Sequence, residues 1–100
     1  MTEEKQDPIK ELGNVNPENY FRVANGTILK NIKELDMAIE NMGEETFKCH
    51  VSDVRNDFAN WIRDIIKDEK LANELLQTKD KNRTQLLILR RILELLTKNA

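Results

Sequence analysis

The sequence predicts an all-α domain, a compact bundle of about five short helices with one short N-terminal β-hairpin. Three observations carry that expectation. Apolar residues recur at helical spacing in successive segments, Asn and Asp stand before those segments where helix caps belong, and only three Gly and two Pro interrupt 100 residues. The length suits a single domain. A composition of 39% hydrophobic and 34% charged residues holds too many aliphatic side chains for disorder.

Residues 1–19 read as a flexible polar arm and 20–100 as the helical domain. Asp7-Pro8 followed by Gly13 is the pattern of one capped helical turn, and Asn16-Pro17 repeats the start signal. Within the arm only Ile9, Leu12 and Val15 have anything to bury. Tyr20-Phe21-Arg22-Val23 and Thr27-Ile28-Leu29 then flank Asn25-Gly26, the strongest short hairpin signal. Ribbons that short need helices to lean on.

Asn31, three residues before Glu34, resembles a capping box; Ile32, Leu35, Ile39 and Met42 follow at helical spacing, with Gly43 as the expected stop. Phe47, His50 and Val51 continue the helical pattern. Ser52 to Asn56 resets the direction, with Asn56 or Asp57 placed to cap Phe58, Trp61, Ile62, Ile65 and Ile66. Asp68 caps a further helix bearing Leu71, Ala72 and Leu75.

The last helix, 82–98, is the unusual one. From Leu86 to Leu96 only Arg90, Arg91 and Glu94 are not apolar. At about 100° per residue the apolar side chains fill an arc of roughly 180°, with Leu87 on the opposite, charged face. A domain this small has little core with which to cover such an arc, so Leu86, Leu89, Ile92, Leu93 and Leu96 are the expected interface with a second copy or another helical protein, the alternative being a central helix wrapped by all the others. Sustained heptads are absent, which argues against a long coiled coil.

Charge is uneven. Residues 1–20 hold five acids and two bases, whereas 77–100 hold two acids and six bases within a chain of net charge -2. The overall balance disfavours a general nucleic-acid binder, yet Arg83, Arg90, Arg91 and Lys98 form a basic stripe of candidate phosphate contacts. No run reaches the roughly 18–20 apolar residues of a membrane span, and Met1-Thr2-Glu3-Glu4-Lys5 is too polar for a signal peptide, so a cytoplasmic protein off the membrane is expected.

Chemistry has few candidates. Cys49 and His50 are the single Cys and single His, which rules out an internal disulfide and a structural zinc site. Adjacent helical residues point about 100° apart, so they do not form a nucleophile–base pair with each other. Cys49 is expected to be a partly buried small residue. The acids Glu44, Glu45, Asp53, Asp57 and Asp64 have no ligating spacing, and no phosphate-binding glycine loop occurs. No cofactor or catalytic residue is expected.

Phe47, His50-Val51, Asn56-Asp57-Phe58-Ala59-Asn60-Trp61-Ile62, Asp68, Leu71-Ala72 and Leu75, preceded by Phe21, Gly26, Ile28 and Leu35, resemble a mainly archaeal family of small helical domains of unknown function. The resemblance covers roughly residues 20–76 and implies an accessory or interaction module with no reaction to carry over. His50, Asn56, Asp57 and Trp61 are expected to converge on one polar knot between helix ends, its alternative being a recognition pocket.

The function expected is therefore a non-catalytic interaction or regulatory module, self-associating through its C-terminal helix. The alternative is a nucleic-acid-associated factor using the basic stripe, and third comes a ligand-binding or enzymatic domain around His50 and Asp57.

Overall fold

The structure, a computed structural model, describes residues 8–98. In chain order it contains α1 (Pro8–Leu12), a 3₁₀ turn (Pro17–Asn19), β1 (Phe21–Arg22), β2 (Ile28–Leu29), α2 (Ile32–Asn41), α3 (Glu44–His50), α4 (Asp57–Trp61), a π-helical turn (Ile62–Ile66), α5 (Glu69–Leu75) and α6 (Lys81–Lys98). A mostly helical bundle with one small hairpin is thus what the chain forms.

The hairpin pairs Phe21 with Leu29 and Arg22 with Ile28, antiparallel. Its turn needs a positive φ, which Gly26 adopts at 95° without steric cost. Asn25 Oδ1 accepts from the Thr27 N–H at 3.0 Å and pins the turn. The ribbon is stable because Phe21, Val23 and Leu29 are buried in the helical core.

Capping side chains start the helices. Asn31 Oδ1 accepts from the Glu34 N–H at 2.8 Å, while Glu34 Oε1 reaches back to the Lys30 N–H at 2.8 Å. Asn56 and Asp68 cap α4 and α5 in the same way, from Ala59 and Leu71, each at 3.0 Å. Gly43 does not stop α2 through a left-handed conformation; at φ -77° it is extended and stands at the N-cap of α3. After α4 the helix widens by one residue, and Lys67, at φ 73°, ends that turn left-handed.

Helix α6 packs against α2, α1 and α5. Ile32, Leu35 and Ile39 of α2, Leu71 and Leu75 of α5, and Ile88 and Leu95 of α6 lie in the core beside Phe47, Phe58 and Ile62. Residues 1–7 of the expected arm, with the Asp7 cap, lie outside the described residues. Residues 8–19 are docked: Glu11 and Leu12 are buried, the Val15 N–H bonds the Lys30 carbonyl at 2.8 Å, and Asn14 bonds Asn31 at 2.7 Å.

The buried face of α6 is rotated from the expected one. It consists of Thr84, Leu87, Ile88, Ile92 and Leu95, so Leu87 belongs to the core and not to the charged side. Ile92 is likewise a core residue and is removed from the expected interface. Among the described residues no helix is long and apolar enough to cross a membrane.

Candidate functional site

The expected polar knot resolves into three separate ties at one corner. His50 ends α3 and Asp57 begins α4, on either side of a tight loop closed by a Val51–Asn56 bridge. His50 Nδ1 lies 3.0 Å from Asp57 Oδ2, and its Nε2 lies 2.9 Å from the Ala24 backbone nitrogen. A backbone N–H only donates, so Nε2 must be the acceptor and Nδ1 carries the proton given to Asp57. The ring is packed between Phe21 and Phe58, at centroid distances of 5.2 and 5.1 Å. His50 therefore joins hairpin, α3 and α4 with both nitrogens engaged.

Asn56 faces elsewhere. Its oxygen caps α4 and its Nδ2 donates to the Leu75 carbonyl at 3.2 Å, tying α4 to the end of α5. Trp61 Nε1 donates to the Asn19 carbonyl at 2.8 Å and holds the 3₁₀ turn. Of the four residues, His50 and Asp57 meet, whereas Asn56 and Trp61 bond elsewhere. Arg55 supports the corner, 3.3 Å from Asp57 and bonded to the Cys49 carbonyl. The Cys49 side chain is exposed, not partly buried as its sequence position suggested.

Two clefts border the chain near these elements. One, of about 480 Å³, lies between β2 and α2 and includes Leu29, Met37, Ala38 and Met42. The other, of about 260 Å³, includes Val54, Asn56, Leu76 and Lys79. Neither of these two is lined by His50 or Asp57. Among the described residues no three His, Cys, Asp or Glu groups are placed to hold a metal ion.

A second polar centre was not visible in the sequence. Arg91 Nε lies 2.7 Å from Asp68, its Nη1 lies 3.1 Å from Glu94, and its Nη2 lies 3.7 Å from Glu11. Burial pushes the Glu11 carboxyl up to about 8, reinforced by the neighbouring Asp68 carboxylate and opposed by Arg91 and Lys98. Burial works to raise Asp68 too, but the Glu11 proton, the Leu71 N–H and Arg91 together hold it below its ordinary value. This arrangement fastens α1 to α5 and α6. It also removes Arg91 from the candidate phosphate contacts, since its side chain is 16% exposed and occupied by three carboxylates. Arg83, Arg90 and Lys98 remain exposed.

One strip of the surface that α6 leaves outside is apolar. Leu86, Leu89, Leu93 and Leu96 are 46%, 37%, 54% and 51% exposed. Their spacing of three, four and three residues is the seam pattern of a two-heptad coiled coil. The helix consequently has two apolar faces, one sealed by its own domain and one open. Sequence periodicity had merged them into a single arc.

The chain matches no protein-family model, no curated protein and no solved structure.

Proposed function

We propose that the protein is a non-catalytic protein-interaction module that associates with itself through α6. The observation that carries this reading is the row of exposed leucines on a helix whose other face is already buried. A leucine row at 3-4-3 spacing, continuous over three turns, matches the seam that one helix presents to another. The polar groups that might have suggested chemistry support the same reading. Both nitrogens of His50 are committed to holding the fold, and the Glu11–Asp68–Arg91 group fastens one helix to two others.

Light scattering across a concentration series tests the proposal. The intact chain is expected to associate, and Leu89→Arg with Leu93→Arg is expected to abolish association while leaving helical content unchanged. Both positions are solvent-facing in the single chain, so loss of folding is not the expected cause. Association that survives this pair of changes contradicts the proposal.

A further inference from the structure

We propose that α1 is a latch held shut by a proton on Glu11. With that carboxyl neutral, the segment from Pro8 through Val15 lies docked on the rest of the domain. When it ionises, the segment opens to water as a unit while α2 to α6 stay folded. Arg91, beside Glu11, and the leucine seam lie about 180° apart around α6, so the latch does not depend on self-association.

The segment is thinly fastened. Helix α1 has five residues, too few to persist without its packing. Its Glu11 and Leu12 are buried, and Lys10 is exposed. Beyond the helix, the ties are the Val15 N–H to the Lys30 carbonyl at 2.8 Å and Asn14 to Asn31 at 2.7 Å. A carboxyl therefore stands beside Leu12 where an apolar side chain would anchor a helix this short. Among the described residues its oxygens have no hydrogen-bond partner, and its ion pair is with Arg91 Nη2, at 3.7 Å.

The charges around Glu11 decide whether it stays. Helix α5 brings Asp68 at its N-cap, and α6 brings Arg91, Glu94 and Lys98. On α2, Asp36 turns to Gln85 and Glu34 to the Lys30 N–H, while Lys33 and Glu40 are exposed. Asp68 is held ionised by the Leu71 N–H and Arg91. Asp68 and Glu94 already balance Arg91 and Lys98, so an ionised Glu11 is a surplus negative charge on a side chain with no exposure to water. Opening hydrates that carboxylate and gives up Leu12 and the ties at Asn14 and Val15. Local openings of this kind draw on the least fastened parts of a fold.

Burial and Asp68 raise Glu11 from 4.5 to about 8, against the pull of Arg91 and Lys98. Between those values the docked segment holds a proton that the opened one has released. Each pH unit is therefore expected to favour opening roughly tenfold, levelling off above the upper value.

Native-state hydrogen exchange, corrected for the intrinsic pH dependence of amide exchange, tests the latch at the Val15 N–H. The Leu35 and Ala72 N–H groups, bonded to Asn31 and Asp68 carbonyls, report on the remainder of the fold. Val15 is expected to be less protected than either and unresponsive to low urea, which accelerates openings that expose much surface. Its opening is expected to rise roughly tenfold per pH unit in the intact chain and to stay flat in Glu11→Gln. Val15 exchanging together with Leu35 and Ala72, with the same urea response, overturns the latch. An opening at Val15 that keeps the same pH slope in Glu11→Gln overturns Glu11 as its trigger.

Discussion

Glu11 and Asp68 form a buried carboxyl pair at the junction of α1, α5 and α6, and one guanidinium, that of Arg91, reaches both: 2.7 Å to Asp68 and 3.7 Å to Glu11. The Glu11 side chain is 0% exposed, and among the described residues neither of its oxygens has a hydrogen-bond partner. Burial and the neighbouring Asp68 carboxylate favour the protonated form of Glu11, because two buried carboxylates sharing a single cation repel one another.

The pH dependence of stability follows from this pair. Folding raises Glu11 from its ordinary 4.5 to about 8, so across that window the folded chain holds a proton that the unfolded chain has released. Stability therefore falls as pH rises through it, by at most about 1.4 kcal/mol per pH unit. The raised Asp36 acts in the same sense. Asp68 acts oppositely: its contribution is lost as pH falls below its ordinary 3.8. Urea unfolding at intervals across this range is expected to place the maximum in mildly acid solution. In Glu11→Gln, which keeps the shape without the titration, the alkaline decline flattens. An unchanged decline contradicts the assignment.

His50 is expected to behave as a structural residue. Replacing it with Ala removes a ring packed between Phe21 and Phe58 and leaves the Ala24 N–H and Asp57 without their partner. The expected loss is about 2–4 kcal/mol in thermal or urea unfolding. Two-bond ¹⁵N–¹H spectra of the imidazole are expected to find the proton on Nδ1 and a bare Nε2. Unchanged melting contradicts the structural role.

Thr84 is completely buried on α6, and among the described residues its hydroxyl has no hydrogen-bond partner. Thr84→Val keeps the shape and removes an unsatisfied polar group, so it is expected to stabilise the fold by about 0.5–1 kcal/mol. A destabilised Val variant means the hydroxyl has a partner after all.

Lys67 occupies the left-handed region at φ 73°, where a Cβ is strained and Gly is not. Lys67→Gly is expected to stabilise by about 0.5–1 kcal/mol, the relief of strain exceeding the entropy that Gly adds to the unfolded chain. Denaturant midpoints check the sign.

Much of this architecture was legible from local chemistry. Asn25-Gly26 announced the hairpin, and Asn31, Asn56 and Asp68 announced three helix starts, because each device acts within a few residues. The tie between His50 and Asp57 was also within reach, since both flank one short loop. The Ala24 N–H on the other side of the ring was not, because only the tertiary fold brings the hairpin there. The face that α6 buries was misread for a related reason. Leucine density pointed the helix one way, but Arg91 docks on Asp68 and Glu11 and thereby turns Leu87 inward. A half-buried Arg satisfied by carboxylates from two other elements leaves no trace in apolar periodicity. Glu11 itself sits in a stretch that composition marks as a polar arm, so nothing local signalled its burial.

Sedimentation equilibrium of the intact chain over a wide concentration range tests the central claim most directly, that α6 carries an open leucine seam made for its own copy. A molar mass rising with concentration from 11.7 kDa to about twice that value, and remaining at 11.7 kDa for Leu89→Arg with Leu93→Arg, is the predicted result. A single mass of 11.7 kDa for the unaltered chain at every concentration would contradict it.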